Sequence, residues 1–430
     1  MKKIIYVVLD GLGDLPTPQL DNKTPLEAAK TPVMDMLAKK AKLGCVYTVG
    51  KGIAPESDIA VISILGYDAH KYYTGRGPLE SFAEGLEVSD GDLAFRVNFA
   101  TMQDEVSDII KDRRVGRNLT TEEATALSAE INKKVKLATP ASFEFKNTIG
   151  HRGILVIYSG DNKKKLSGDI TNTDPAYGKE GCFGIALPEF KNVLLKAEPV
   201  EGKETDSSCI LSARLINEFT EKSRIVLNDS QVNKNRIKEG KLPANTIVSR
   251  DAGDRLPKFP KINSLFNIKM GCFVEMPVEK GIALLTGMEV VDLPLPSGNL
   301  KKDYNLRAEK VKQALGKYDA LYIHIKGPDE PAHDGDVDAK VKSIEAIDEF
   351  FFGELLTKIN LKDVVIAVTA DHSTPCIKKA HTDDPVPFMV FSEGQSPDGI
   401  DTYSEKSCQK GSIGYINGVE IMPILVKSAK

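Results

Sequence analysis

Continuous apolar runs recur near both ends of the chain and alternate there with amphipathic segments. The runs over residues 4–9, 320–325 and 364–369 are rich in β-branched and other apolar residues. Residues 33–38 and 337–359 instead carry apolar side chains at the three- and four-residue spacing of a helix. Apolar strands that alternate with helices are typical of a parallel sheet covered on both faces. The pattern therefore predicts an α/β domain that is built from both ends of the chain.

The middle of the chain has a different pattern, in which short strand-like runs mix with charged loops. Candidate strands lie at 93–102, 153–160 and 223–229, and a polar helix is predicted over 121–134. We therefore predict an α+β domain over residues 76–262, inserted into a discontinuous α/β domain of residues 1–75 and 263–430. A length of 430 residues also fits two domains better than one.

Charge and composition argue against some classes of partner. The formal net charge of −4 argues against a nucleic-acid or anionic-membrane partner, whereas local groups of basic residues leave a small anionic substrate open. The apolar runs are too short to span a bilayer, so we expect a cytoplasmic protein.

The 6 cysteines have no C-x-x-C spacing and are expected to be reduced and mostly buried. The sequence leaves open whether the protein forms a homo-oligomer.

Three of the predicted strands are followed by carboxylates. Asp10 ends the first apolar run, Asp329 follows the second after a short loop, and Asp371 follows the third. The carboxyl ends of parallel strands meet at one edge of a sheet, where ligands bind. Three acidic groups at that edge would repel each other unless a cation neutralised them, which suggests a metal site.

Histidines near the same strand ends support this interpretation. They are His333, which completes a D-x-x-x-H motif, His372 and His381. Carboxylate and imidazole ligands together suit Mn²⁺ or Zn²⁺, whereas oxygen ligands alone suit Mg²⁺ or Ca²⁺. With the three aspartates these groups are enough for two metal ions. His70 and His324 lack comparable support and are expected to be structural residues.

Ser57 begins an apolar segment that is predicted to be a helix. Free N–H groups at a helix N-terminus favour an anion such as a phosphoserine. A serine hydroxyl needs a base or a metal to act as a nucleophile, and no G-x-S-x-G motif surrounds Ser57, so activation by a metal is the simpler hypothesis. The alternative is that Ser57 only caps the helix and that the acidic residues and histidines are ordinary turn and loop residues.

Several motifs together resemble those of the archaeal-type, cofactor-independent phosphoglycerate mutases, which belong to the alkaline phosphatase superfamily. In chain order the motifs are LDGLGD at the N-terminus, PESD before a helix that ends in LGYD, GRG at 75–77, DRRVGR at 112–117, KGPDEPAHDGD at 326–336 and TADHSTP at 369–375. The match runs over nearly the whole chain. It implies an alkaline-phosphatase-like α/β/α sandwich with an inserted α+β domain that closes over the substrate as a lid.

The resemblance also implies roles for the residues of the strand ends. One divalent metal ion would be held by Asp10, Ser57, Asp371 and His372, and a second by Asp329, His333 and His381. Manganese is the expected ion, with zinc, magnesium and cobalt as alternatives. Ser57 would be the nucleophile between the two ions. No bisphosphoglycerate is expected as a cofactor, because the serine would store the phosphoryl group.

The activity that the resemblance implies is the interconversion of 3-phosphoglycerate and 2-phosphoglycerate, a step of glycolysis and gluconeogenesis. The bound glycerate must turn under the lid before water takes the phosphoryl group. Arginine binds carboxylates and phosphates bidentately, and the middle domain contains several arginines. The candidate substrate-binding residues are Arg96, Asp112, Arg113, Arg117, His151, Arg152 and Arg250.

Two other functions are compatible with the sequence. A metal-dependent phosphatase or phosphodiesterase of the same superfamily would share the seven metal-site residues but admit water, and its substrate would be another small phosphorylated or phosphonate metabolite. Relatives have also been proposed to be phosphonopyruvate decarboxylases or homoserine kinases. A metal-dependent binding protein without catalytic activity would be expected to have lost one of the seven residues, and all seven are present.

Overall fold

The apolar runs at the two ends of the chain pair with each other in one sheet. In this computed structural model the described residues are 1–104, 106–138, 140–161, 164–187, 189–294 and 296–430. The strands are β1 (Lys3–Leu9), β2 (Ala41–Tyr47), β3 (Leu93–Met102), β4 (Ile110–Asp112), β5 (Ser142–Asn147), β6 (Arg152–Tyr158), β7 (Tyr177–Glu180), β8 (Phe183–Ala186), β9 (Thr246–Gly253), β10 (Met270–Phe273), β11 (Glu289–Val290), β12 (Ala320–Ile325), β13 (Val364–Thr369), β14 (Val386–Ser392) and β15 (Gly414–Asn417).

Helices occupy most of the segments between the strands. They are α1 (Pro25–Ala28), α2 (Pro32–Ala38), α3 (Ser57–Ile64), α4 (Ala69–Tyr72), α5 (Arg76–Ala83), α6 (Thr121–Lys134), α7 (Ser207–Asp229), α8 (Gln231–Lys238), α9 (Ile262–Phe266), α10 (Pro277–Thr286), α11 (Leu300–Ala314), α12 (Asp329–Asp334), α13 (Val337–Ala346), α14 (Gly353–Lys358), α15 (Glu405–Cys408) and α16 (Ile421–Ala429). A π-helical segment, Ile347–Phe352, joins α13 to α14, and short 3-10 turns lie at Pro18–Leu20, Val115–Arg117, Leu361–Asp363 and Gly418–Glu420.

The chain forms two compact units. The discontinuous unit comprises residues 1–72 and 258–430, and the middle unit comprises residues 73–257. The predicted insertion, residues 76–262, covers nearly the same part of the chain as the middle unit.

An eight-stranded sheet forms the centre of the discontinuous unit. Its strand order is β11-β10-β12-β1-β13-β14-β2-β15, and β14 runs antiparallel to both of its neighbours while the other neighbouring pairs are parallel. All residues of β12, β13 and β14 are buried, so that both faces of the sheet are covered. Helix α16 packs on β1 and β13, and α2 packs on β2 and β14. The predicted α/β fold is confirmed, and the sheet is parallel as predicted except at β14.

A buried ion pair fastens the loops that follow β1 and β13 to α13. The Lys340 ammonium lies 2.8 Å from a carboxylate oxygen of Asp14, and neither side chain is exposed. Lys340 also donates to the carbonyl oxygens of Gly13 at 3.2 Å and Thr374 at 3.0 Å. Asp14 in turn accepts the backbone N–H of Cys376. The Lys340 ammonium thus holds both loops in a fixed position, next to the carboxyl ends of β1 and β13.

The middle unit has an antiparallel sheet with helices packed against it. Strand β3 lies between β6 and β9, β5 pairs with β6, β4 pairs with the end of β3, and β7 and β8 form a separate hairpin. Helix α6 begins with a capping box, in which Thr120 and Glu123 bind each other's backbone N–H groups. Side chains of α6 and α7 share one hydrophobic core with β3, β5 and β6. The strands predicted over 93–102 and 153–160 and the helix predicted over 121–134 are confirmed.

The strand predicted over 223–229 is wrong, because this segment is the last part of α7. The β-branched run there is short, whereas the residues that α7 buries recur at helical spacing over its whole length: Cys209, Ala213, Ile216, Phe219, Thr220, Ser223 and Leu227. Asp206 also caps the helix by accepting the N–H groups of Ser208 and Cys209. The longer period therefore outweighs the local β propensity.

Two further expectations can be compared with the structure. All six cysteines are free thiols, and each except Cys182 is buried. Among the described residues, no helix is both long enough and apolar enough to cross a lipid bilayer.

The buried ion pair gives a prediction for stability. Replacement of Lys340 by methionine should lower the free energy of unfolding by about 3 to 5 kcal/mol, because it leaves the Asp14 carboxylate buried without its cation. Urea denaturation would measure this change. Lys342→Met is the matched control, since Lys342 lies on the same helix and is exposed. Equal stabilities of the two variants would contradict a structural role for the pair.

Candidate metal centre

Three acidic side chains lie at one edge of the sheet in the discontinuous unit. Leu9 pairs with Ile325 and Val8 pairs with Thr369, so β1, β12 and β13 end side by side. Asp10 follows β1 directly, Asp371 follows β13 after one residue, and Asp329 is the first residue of α12. Because β14 returns antiparallel to β13, the loop over residues 370–385 begins and ends at this same edge.

The first candidate ligand group consists of Asp329, His333 and His381, whose ligand atoms all lie within 4.8 Å of one another. The Nε2 atoms of the two histidines are 3.2 Å apart. The Nδ1 atom of His333 lies 3.1 Å from the carbonyl oxygen of Lys379, and that of His381 lies 2.8 Å from the carbonyl oxygen of Pro55. A carbonyl oxygen can only accept, so each Nδ1 carries a proton, and each Nε2 is the ring nitrogen that could bind a metal.

The second candidate group consists of Asp10, Asp371 and His372. The Nε2 atom of His372 lies 3.3 Å from Asp10 Oδ1 and 3.3 Å from Asp371 Oδ2. Within the described part of the chain, neither of these carboxylate oxygens has a hydrogen-bond partner, although both are buried. Buried acceptors without donors are costly unless a cation binds them. The donor set and its geometry therefore fit a metal ion.

Thr374 connects the two groups. Its hydroxyl donates to Asp329 Oδ1 at 2.8 Å and lies 2.9 Å from the Nδ1 atom of His372. Since the hydroxyl proton goes to Asp329, its oxygen is free to accept the Nδ1 proton of His372. This arrangement directs the Nε2 atom of His372 at Asp10 and Asp371. The hydroxyl thus orients a ligand of each group.

Ser57 lies beside the second group. Its hydroxyl oxygen is 3.2 Å from the Nε2 atom of His372. It is the first residue of α3, and the preceding residue, Glu56, occupies the N-cap position. The alternative that Ser57 serves as the N-cap is therefore not what the structure shows. The hydroxyl is left at the helix N-terminus, next to the candidate ligands and partly exposed.

Gly11 allows the close approach of the strand ends. Its φ is +61°, and a Cβ atom at this position would lie 2.5 Å from Asp329 Oδ1. Its backbone N–H donates to Asp371 Oδ1 at 3.1 Å. Only glycine combines this conformation with contact to two of the acidic residues.

The ionisation of these groups shows how strongly the carboxylates favour positive charge nearby. Burial and the charge of Asp10 would raise the pKa of Asp329, but the hydrogen bond with His333 and the nearby His372 and His381 hold it at about 2. Burial would lower the pKa of His372, but Asp371, Asp10 and Asp329 together raise it to about 9. A metal cation at this edge would replace such protons as the compensating charge.

Sequence reasoning missed three residues beside this centre. His324, expected to be structural, forms a third candidate ligand group with Asp10 and Asp371. The Lys326 ammonium lies 2.6 Å from Asp10 Oδ2 and 2.7 Å from Glu279 Oε1. Lys326 directly follows β12 in the KGPDEPAHDGD motif, which could have marked it. Glu279 lies on α10, in a segment without a motif that could have marked it.

A second polar cluster lies within the middle unit, around β3 and β9. Arg96 on β3 is directly opposite Arg250 on β9. Like charges in this position are destabilising without counter-charges. Glu80 lies 3.7 Å from Arg96 and 2.7 Å from Arg76, and Asp174 lies 3.1 Å from Arg250. The Nε atoms of Arg96 and Arg250 are buried and form no hydrogen bond with a described residue; they face the carboxylates of Glu80 at 3.7 Å and Asp251 at 3.4 Å.

Three more of the predicted substrate-binding residues, Arg113, His151 and Arg152, lie near this pair. Arg113 forms a bidentate ion pair with Asp174, with both N–O distances at 2.7 Å. Burial lowers the pKa of His151 to about 4, and the charges of Arg152, Arg114, Arg250 and Arg96 contribute to the shift. Burial and the nearby positive charges thus keep the imidazole of His151 neutral. We call this group the arginine cluster; it comprises Arg76, Arg96, Arg113, Arg114, His151, Arg152 and Arg250, of which Arg76 and Arg114 were not predicted.

Asp112 and Arg117 lie at the two ends of the loop that carries Arg113. Asp112 accepts the backbone N–H of Arg114 at 2.7 Å. Val115, Gly116 and Arg117 have φ angles of 53°, 63° and 56°. Such left-handed backbone is strained for valine and arginine, and strain of this kind is concentrated at functional sites. Arg117 is exposed, whereas Arg113 is mostly buried.

Comparisons with known proteins agree in pointing to one family. A family model described as 2,3-bisphosphoglycerate-independent phosphoglycerate mutase matches residues 38–233. The chain is 41% identical over 426 residues to the mutase of that name from Aeropyrum pernix, which covers 98% of each chain. It is 36% identical to the one from Methanopyrus kandleri, over 99% of this chain and 96% of that one.

Two solved structures resemble the whole chain. A protein from Pyrococcus horikoshii is 30% identical and has a TM-score of 0.79, over 100% of this chain and 97% of that one. The cofactor-independent phosphoglycerate mutase from Thermoplasma acidophilum is 33% identical and has a TM-score of 0.65, over 100% of both chains.

The position of Thr374 gives a prediction for metal binding. Thr374→Val removes the hydroxyl that orients His372 and Asp329, so the affinity for Mn²⁺ should fall about 10- to 100-fold. Isothermal titration calorimetry would measure the affinity. Thr382→Val is the control, because the hydroxyl of Thr382 donates to Asp384 in the same loop. An unchanged affinity in Thr374→Val would show that the hydroxyl does not support the ligands.

Proposed function

The chain belongs to the family of 2,3-bisphosphoglycerate-independent phosphoglycerate mutases, and from this premise we propose that it interconverts 3-phosphoglycerate and 2-phosphoglycerate through a phosphoserine at Ser57. It is accordingly an isomerase that acts on a small phosphorylated substrate. A cytoplasmic location and a role in glycolysis and gluconeogenesis belong to the same proposal. No bisphosphoglycerate is required, because Ser57 would hold the phosphoryl group between the two half-reactions.

The position of Ser57 carries this proposal. Its hydroxyl lies at the N-terminus of α3 and 3.2 Å from a candidate metal ligand, His372. In the first half-reaction the oxygen of Ser57 would form a bond to phosphorus while the bond from phosphorus to the glycerate oxygen breaks. In the second, the other glycerate hydroxyl would take the phosphoryl group from Ser57. The helix N-terminus favours the negative charge of the phosphoserine.

Two divalent cations are part of the proposal, with manganese as the expected ion. Asp10, Ser57, Asp371 and His372 would hold one cation, and Asp329, His333 and His381 would hold the other. When bound, the cations would lower the pKa of the serine hydroxyl and offset the charge of the transferring phosphoryl group. The orphaned oxygens of Asp10 and Asp371 and the oriented Nε2 atoms of the histidines support this assignment.

The arginine cluster is proposed to bind the carboxylate of the glycerate. Ion pairs with Asp174 and Glu80 fix the orientation of Arg113, Arg250 and Arg76. A carboxylate that is bound bidentately can stay in place while the rest of the substrate turns. In this proposal the middle unit keeps its predicted role as a substrate-binding lid, and Asp112 and Arg117 extend the binding site along the strained loop.

Loss of the nucleophile gives the most direct prediction. Ser57→Ala should lower the rate of interconversion by on the order of 10³-fold or more, because no other group can store the phosphoryl group. The assay would supply Mn²⁺ and 3-phosphoglycerate, without bisphosphoglycerate, and measure 2-phosphoglycerate and free phosphate. Ser63→Ala, on the same helix, is the control. Full activity in Ser57→Ala would overturn the mechanism, and free phosphate as the main product of the unmodified protein would favour a phosphatase.

The exposed arginine of the strained loop gives a second prediction. Arg117→Ala should raise the KM for phosphoglycerate about 10- to 100-fold, the cost of a charged hydrogen bond, and raise the ratio of free phosphate to 2-phosphoglycerate. Lys111→Ala removes another exposed positive charge in the neighbouring strand and should leave both quantities unchanged. If the two variants behave alike, Arg117 contributes only to the general charge of the surface.

A further inference from the structure

His324 is a buried histidine whose surroundings differ from those of an ordinary core residue. It lies on β12, is 1% exposed, and its Nε2 atom is 3.5 Å from Asp371 Oδ2. No described residue forms a hydrogen bond with this nitrogen. A structural histidine in a protein interior normally satisfies both ring nitrogens. The Nε2 atom of His324 is instead directed at a carboxylate oxygen that also lacks a hydrogen bond.

The atoms around this nitrogen form a convergent set. Ligand atoms of Asp10, His324 and Asp371 all lie within 4.8 Å of one another, and all three residues are buried. Asp10 Oδ1, His324 Nε2 and Asp371 Oδ2 share one further property: in the part of the chain that the structure describes, each lacks a hydrogen-bond partner. Buried polar atoms that converge in this way without hydrogen bonds suit the ligand shell of a cation.

The other side of the imidazole ring is held by two groups. The Nδ1 atom of His324 lies 3.2 Å from the hydroxyl of Tyr322 and 3.4 Å from Glu279 Oε1. Glu279 is 1% exposed, and neither of its carboxylate oxygens receives a well-aligned hydrogen bond from a described residue. A carboxylate at Nδ1 favours the tautomer with the proton on that atom, which leaves the lone pair on Nε2.

Charge balance supports the same arrangement. Lys326 lies between Asp10 and Glu279, at 2.6 Å and 2.7 Å, and offsets one of the two carboxylates. Asp371 has no such lysine among its described contacts. A neutral histidine adds a ligand to the site without adding positive charge that would compete with a cation.

We infer that His324 is a further ligand of the cation at Asp10, Asp371 and His372, and that Glu279 holds its ring in the ligating tautomer. The inference rests on the metal site of the proposed function and adds one imidazole to it. The cation would then have two imidazole ligands, from His324 and His372, in place of one. Glu279 is a positioning residue, since it acts through His324.

The test counts nitrogen ligands directly. In a His333→Ala/His381→Ala background one Mn²⁺ should remain, and pulsed electron paramagnetic resonance would then detect its ¹⁴N couplings. Two coupled imidazole nitrogens are expected, and one after His324→Gln. Calorimetric titration of the otherwise unmodified protein should show that His324→Gln weakens one of the two Mn²⁺ sites about 10- to 100-fold. Glu279→Gln should keep both nitrogens and weaken the same site less.

The controls separate the possible failures. His70→Gln, at an exposed position, should change neither quantity. If the nitrogen count in His324→Gln equals that of its parent, the inference is wrong even where affinity falls, because His324 would then act only through Asp371. If the unmodified protein binds no Mn²⁺ at all, the proposed metal site itself fails. Circular dichroism would verify that each variant is folded.

Discussion

Parallel pairing of β1 with both β12 and β13 brings three carboxylates to one edge of the sheet, and their mutual repulsion governs what surrounds them. Lys326 lies against Asp10, and His372 has a pKa raised to about 9 by its acidic neighbours. The imidazoles of His333 and His381 donate hydrogen bonds from Nδ1 to backbone carbonyls, and their Nε2 atoms face inward. Each of these contacts either supplies positive charge or prepares an atom to bind it.

The same edge is held rigid by groups that take no part in the chemistry. The Asp14–Lys340 pair joins the loops after β1 and β13. Gly11 lets Asp329 approach the loop after β1 closely. Burial of an ion pair is expensive, and it adds little stability compared with apolar residues of the same shape. Its value here is positional, because the candidate ligands of one metal come from strands that are far apart in the sequence.

The sequence allowed much of the site to be predicted, for an identifiable reason. An apolar run followed by Asp or by Asp-His can be recognised locally in the sequence. The carboxyl ends of parallel strands meet at one edge of the sheet, so residues recognised separately in this way belong to one site. His324 gave no such signal, because it lies inside an apolar strand and its partner Glu279 is on a different helix. The antiparallel strand β14, which begins at this edge just after the loop with His381, was not predicted either. The error over 223–229 has a different cause: seven residues cannot separate a buried strand from the end of a long helix.

The central position of β1 has a consequence for the order in which the protein is assembled. Both neighbours of β1 are encoded near the other end of the chain, with the whole middle unit between them. During synthesis the middle unit can complete its own sheet, while the apolar β1 has emerged and has no strand to pair with. Such a strand is prone to aggregate until β12 and β13 leave the ribosome. On the proposed assignment, the site for the two cations, one at Asp10 and Asp371 and the other at Asp329, is therefore completed late in the maturation of each chain.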